Sequence, residues 1–215
     1  MSMMKQFRLD QLADSIFAIV MTILVFEIRV PEYASVVTNG TLVNSLINMY
    51  PLFLSYLLSF SLIFTYWRSH HFIASVLVKN IDTGFANLNG IFFFFVGLVP
   101  FSAHFLGTYI YVETATIFFA INIILIGISL FAMRSYAIKS QTIENAPFTK
   151  NENAHAKMHI LFPIMSAILA IFVSFFSINL AIVLFTLAIL FNLTSYGTKS
   201  IFFLLDLFHK KEKTI

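Results

Sequence analysis

Charges and hydroxyls crowd the first apolar segment of the chain, RLDQLADSIFAIVMTILVFEI, residues 8–28. Arg8, Asp10 and Asp14 fall within two turns at its start, and Glu27 and Arg29 mark its end. At 3.6 residues per turn, Leu12, Ser15, Ile19, Thr22, Ile23 and Phe26 share one stripe. A threonine hydroxyl has lone pairs to offer a cation. A single helix cannot enclose a pore, but a ring of copies would present a circle of Thr22 hydroxyls. Ile19, one turn away, would then form an apolar collar of the kind that gates by dewetting. The alternative is ordinary interhelical packing, with Thr22 bonded to its own helix backbone.

The segment is short for a lipid-facing span. Only the twelve residues Ser15 to Phe26 separate Asp14 from Glu27, whereas lipid-facing helices need about 20 mostly apolar residues. Ionisable residues in a span face protein or water rather than lipid. The first helix is therefore expected to be the least lipid-exposed, surrounded by other helices or lining water.

The elements that must position this helix are membrane spans. Of the 215 residues, 59% are hydrophobic and only 11% charged, against about 25% charged in soluble domains. The mean hydropathy is +0.88. A soluble core of this size still exposes roughly 30% of the surface of its unfolded chain, so lipid must cover the rest. Six hydrophobic segments are predicted as helices near 8–30, 45–70, 84–107, 112–138, 159–177 and 179–206, in a single domain over 1–215. The runs are continuous rather than alternating, which excludes barrel strands. Residues 139–157, KSQTIENAPFTKNENAHAK, read as a polar loop. No internal repeat of the transporter type stands out.

Basic residues set the expected orientation. Twelve of the thirteen Lys and Arg residues flank the ends assigned to one side, and only Arg29 falls on the other. Six spans with both termini cytoplasmic follow. The pI near 9.1 is thus a topology signal, with the basic C-terminal tail touching anionic lipid at most, and nucleic acid is not an expected partner. Lys5 and Arg8 could open a signal peptide, but Asp10 and Asp14 precede the apolar run and more spans follow. Cysteine is absent, which removes disulfides, thiolate metal sites and cysteine nucleophiles.

Three ordered stretches carry a family resemblance. Arg8, Asp14, Phe17, Ala18, Ile19, Thr22 and Glu27 fit a first-helix signature. Ser59-Phe60 followed by Trp67-Arg68-Ser69-His70-His71 fits a second-helix end, and Asn89 with Pro100-Phe101 fits a third helix. Over roughly residues 8 to 105 the chain resembles the transmembrane protein 175 family. The last three helices match only in hydropathy. The resemblance implies a potassium-permeable channel of the prokaryotic, single-repeat kind, a homotetramer in the bacterial plasma membrane. Its pore would be lined by the first helix, with the constriction at Ile19, a hydroxyl at Thr22, and Ile23 and Phe26 continuing outward. Permeant potassium passing near Thr22 is the only small ligand implied, with no cofactor and no metal site.

Departures from the pattern matter. Leu12 and Ala13 stand where the family has Phe and Ser. Ala13 cannot join the family's polar network, whereas Arg8, Asp14 and His70 could hold the first helix against the second, with Trp67 packed there. Alternatively, Trp67 is an interfacial belt aromatic, and His71 a solvated interfacial residue. Four hydroxyls offer fewer and weaker oxygens than stacked carbonyl rings, so potassium should be preferred over sodium by a limited factor.

Other candidates are weaker. Thr194-Ser-Tyr-Gly197 superficially resembles a potassium filter but lies beside Lys199 and reads as a helix end. His155 and His159 have helical metal spacing, with Glu152 as the only close carboxylate. His104 reads as interfacial. There is no HEXXH, GxSxG or phosphate loop, so no enzyme is expected. A proton-coupled transporter using Asp14 and Glu27 is the rival reading, although neither has a partner at the midplane. An assembly partner without transport is a third.

Overall fold

The computed structural model describes residues 6–32, 37–145, 147 and 150–193. These residues are helical, joined by turns and one isolated bridge between Val78 and Asn145. The helices are α1 (Gln6–Ile23), α2 (Asn39–Asn48), α3 (Tyr50–His71), α4 (Thr83–Gly97), α5 (Val99–Thr108), α6 (Glu113–Lys139), α7 (Lys150–Ser174) and α8 (Ile178–Leu193). A 3-10 turn, Leu24–Glu27, extends α1, and a π-helical turn, Phe72–Leu77, extends α3.

Five stretches are long and apolar enough to cross a membrane: Phe7–Glu27, Tyr50–Leu77, Thr83–Thr108, Glu113–Lys139 and Ala156–Ser174. The sixth expected segment is a 16-residue helix, Ile178–Leu193, as far as the described residues go. Its expected remainder to residue 206 lies outside them, as do Thr194–Gly197, Lys199 and the basic tail.

Several boundaries move for local reasons. The expected second span starts at Tyr50 rather than 45, because α2 is a separate helix capped by Thr38, whose side chain accepts from the Thr41 amide. Pro51 in the first turn of α3 loses no hydrogen bond there. The third span is broken at Leu98, two residues before Pro100, whose ring has no N–H to continue the ladder. The polar loop is shorter than expected, since α7 begins at Lys150, just beyond Pro147. That proline is the last strong breaker before a run of residues compatible with helix.

α6 is the centre of the bundle and packs against α4, α5, α7 and α8. Gly127 lets α7 approach it, because a Cβ there would overlap the Ile164 side chain. Polar bonds tie neighbouring spans. The Tyr66 hydroxyl donates to the Ile123 carbonyl at 3.0 Å, and the Asn122 amide donates to the Ser102 hydroxyl at 2.9 Å.

Contacts between spans define two ends. At one, the segment 78–82 is clamped to the loop after α6. The Lys79 amide donates to the Glu144 carbonyl at 2.9 Å, and Asn80 bonds both Thr142 and Glu144. Asp82 accepts from the Phe85 amide and the Tyr136 hydroxyl, each at 2.8 Å, and from the Thr142 hydroxyl. Burial pushes the Asp82 carboxyl up, but these donors outweigh it and hold its pKa below the usual value. At the opposite end Glu27 pairs with His104, and the Tyr50 and Tyr111 hydroxyls meet.

Candidate functional site

α1 has two faces. Leu9, Ala13, Phe17, Val20 and Leu24, at spacings of three and four, are buried against the bundle. Phe17 lies in tilted contact with His70 and Phe92, each with ring centroids 5.9 Å away. The opposite face carries Leu12, Ser15, Ile19, Thr22, Ile23 and Phe26, all exposed. Ile19 is 55% exposed and Phe26 72%, so the subunit leaves both side chains largely uncovered.

Of the two expected arrangements, surrounded by helices or lining water, a single chain does not provide the first. Only 28% of the first span is buried within one subunit, against 56% of the span on α6. The chain by itself does not cover the stripe. Its chemistry also differs from a lipid-facing surface. The exposed face of α7, with Met165, Leu169 and Phe172, is apolar, whereas the α1 stripe interleaves Ser15 and Thr22 with branched apolar side chains.

The hydroxyls are oriented by their own helix. Thr22 donates to the Ala18 and Ile19 carbonyls, both at 2.9 Å, and Ser15 donates to the Gln11 carbonyl at 2.8 Å. The proton of each hydroxyl thus points at the backbone, which leaves oxygen lone pairs on the open side.

Four residues expected in a polar network occupy three environments. The Trp67 indole N–H donates to Asp14 at 2.9 Å, tying α3 to α1. His70 is 1% exposed, meets the Asn89 side-chain oxygen at 2.7 Å and stacks on Phe92 at 5.2 Å. Asn89 in turn donates to the Phe85 carbonyl at 3.0 Å, so His70 joins α3 to α4. Arg8 is exposed, with no hydrogen bond or ion pair among the described residues.

Two partnerships escaped sequence reasoning. Asn89 sat in a quoted motif, but nothing along the chain paired it with His70, 19 positions away. His104 reaches Glu27 at 3.1 Å from α5, a contact that only the packing of α1 beside α5 creates. Asp82 did carry a local signal, as an aspartate directly before a helix start. Among the described residues no group of three His, Asp or Glu could hold a metal ion.

Comparisons with known proteins converge on one family. The model of the family described as the endosomal/lysosomal potassium channel TMEM175 matches residues 8–100. A potassium channel of Chamaesiphon minutus, Cha6605_3372, is 41% identical over 103 residues, which are 48% of this chain and 50% of that one. The match thus spans about half the length of that curated relative. A potassium channel of a Chryseobacterium species, HX13_20290, is 30% identical over 176 residues, 81% of this chain and 85% of that one. The fold is similar to the crystal structure of a lysosomal potassium-selective channel TMEM175 homolog from Chamaesiphon minutus. The TM-score is 0.74 at 30% identity, covering 87% of this chain and 96% of the other.

Proposed function

Since the chain belongs to the TMEM175 family, we propose that it is a multi-pass membrane channel, not an enzyme, that passes potassium down its gradient. Copies of α1 line the pore in a homotetramer, within six spans whose termini both face the cytoplasm. The carrying observation is the coincidence of two independent patterns. The α1 residues at the family's pore positions, Ile19, Thr22, Ile23 and Phe26, are all among those that the chain leaves uncovered.

The physics of such a pore follows from the stripe. Ile19 side chains from four copies narrow the path and strip water from a passing ion, which costs free energy because nothing replaces the lost hydration. Thr22, one turn outward, repays part of that cost through its outward lone pairs. The repayment is small beside that of stacked carbonyl rings, so the preference for potassium over sodium is limited. Ile23 and the exposed Phe26 set the width towards the outer mouth, where Glu27 supplies negative charge.

The test is passive ion flux from proteoliposomes, with potassium and sodium run in parallel and Ile19→Asn as the comparison. The expected result is non-saturating potassium flux that rises in the variant while the preference over sodium falls. Unchanged flux in the variant would move the constriction elsewhere. Flux only under a proton gradient would replace the channel by a coupled transporter.

A further inference from the structure

A second site lies away from the α1 stripe and shares no residue with it. A cavity of about 470 Å³ opens beside the last turn of α3, the π-helical turn after it and the first membrane turns of α7. That volume falls in the range of small-molecule sites, about 300–1,000 Å³. Ile73, Val76 and Ile160 form its apolar wall, and Arg68, His71 and His159 bring basic groups. Among the described residues no carboxylate lines it.

Arg68 is the charge that matters. It is exposed and has no carboxylate or hydrogen-bond partner among the described residues. Its guanidinium is permanently charged and its planar fork matches two phosphate oxygens. His71 is already engaged, stacked on Trp67 at 5.9 Å and sharing a 3.2 Å hydrogen bond with Ser75. The cavity also lies at the basic end of the bundle, the end of Lys79, Lys139 and Lys157. A cation at a span end reaches for the headgroup layer while its stem stays among apolar groups.

We propose that this cavity holds an anionic phospholipid, with its phosphate on Arg68 and the start of an acyl chain along Val76, Ile73 and Ile160. A free anion would use the guanidinium and leave the apolar wall bare, whereas a neutral lipid would fill the wall and leave the charge unused. Only an acidic lipid satisfies both halves, as in other basic pockets between spans.

The test counts retained lipid per subunit by native mass spectrometry. Purified protein is exposed to micelles doped with dioleoylphosphatidylglycerol or dioleoylphosphatidylcholine, each with and without inorganic phosphate. Phosphatidylglycerol should be retained in preference to phosphatidylcholine and resist inorganic phosphate. Arg68→Gln should weaken its retention about fivefold, the equivalent of ~1 kcal/mol for one cation at the headgroup layer. Val76→Trp, which fills the wall and keeps Arg68, should weaken it too, while Lys79→Gln, outside the cavity, should not. Equal retention of the two lipids, or retention unchanged in either cavity variant, would overturn the proposal. So would displacement by inorganic phosphate, which would assign the site to a free anion. The readout involves no ion flux, so its outcome is independent of the channel reading.

Discussion

α1 and α6 are both apolar enough to span a membrane, yet they hold opposite places in the fold. The span on α1 has a mean hydropathy of 1.8 and is 28% buried, and that on α6 has 2.4 and is 56% buried. Phe119, Ala120, Ile126 and Leu130 of α6 are all sealed from the surface. The stripe of α1 from Leu12 to Phe26 touches little of its own subunit. Hydropathy therefore assigns both helices to the membrane and says nothing about which one is the core. In a bilayer the hydrophobic effect does not drive helix against helix. Close packing and interhelical hydrogen bonds choose the neighbours.

The sharpest way to break this comparison is truncation on each helix. Phe119 is 1% exposed and meets Phe185 edge-on at 5.4 Å, so Phe119→Ala should cost about 2 kcal/mol through the packing lost around the cavity. Ile19→Ala should change subunit stability by less than about 0.5 kcal/mol while altering potassium flux. Denaturant titration in detergent beside proteoliposome flux reads both. Equal losses of stability would erase the distinction.

A smaller effect is expected where α1 is fastened. Trp67→Phe removes the bond to Asp14 and keeps most of the ring, at a cost of about 1 kcal/mol. The fastening acts on the placement of α1, so this variant should change flux as well as melting temperature. A melting shift with unaltered flux would make the bond purely structural.

The Asp82 clamp lies outside the spans and should respond to acid. Its folded pKa is below the usual aspartate value. Its contribution is therefore complete above the unfolded pKa and is lost as pH falls through the folded one. Amide exchange of residues 79–85, corrected for intrinsic rates, should speed up below about pH 4. Asp82→Asn should abolish that acid response and cost about 1 kcal/mol at neutral pH, because an amide nitrogen cannot accept from Tyr136 and Thr142. An acid response unchanged in the variant would assign it to other carboxylates.

The weakest expected effect belongs to Thr22→Val. Its hydroxyl proton is satisfied within α1 and the side chain is exposed, so stability should stay within about 0.5 kcal/mol. The potassium-to-sodium flux ratio should fall. A ratio that holds would remove Thr22 from ion coordination.

How much of this was legible along the chain differs by feature. Five of the six expected spans were, because a run of apolar residues has one stable destination. The two faces of α1 were, because Ser15, Ile19, Thr22 and Phe26 recur with the helical period. The break at Leu98 left a trace in Pro100, and the cap of α4 left one in Asp82. The partners of His70 and Glu27 left none, since each depends on how separate helices lie side by side.

By itself, then, the sequence determined that this chain is helical, lies in a membrane and carries a mixed stripe on its first helix. Composition and periodicity act locally, and the bilayer reads them one segment at a time. Only the tertiary structure decided that α6 forms the core while α1 keeps an open face. It also decided that His70 bonds Asn89 rather than Asp14, and that a basic cavity forms beside Arg68. Those outcomes turn on approaches of a few ångströms between helices far apart in the chain. Gly127, the Tyr66 hydroxyl and the clamp at Asp82 fix those approaches together, and no single segment encodes them.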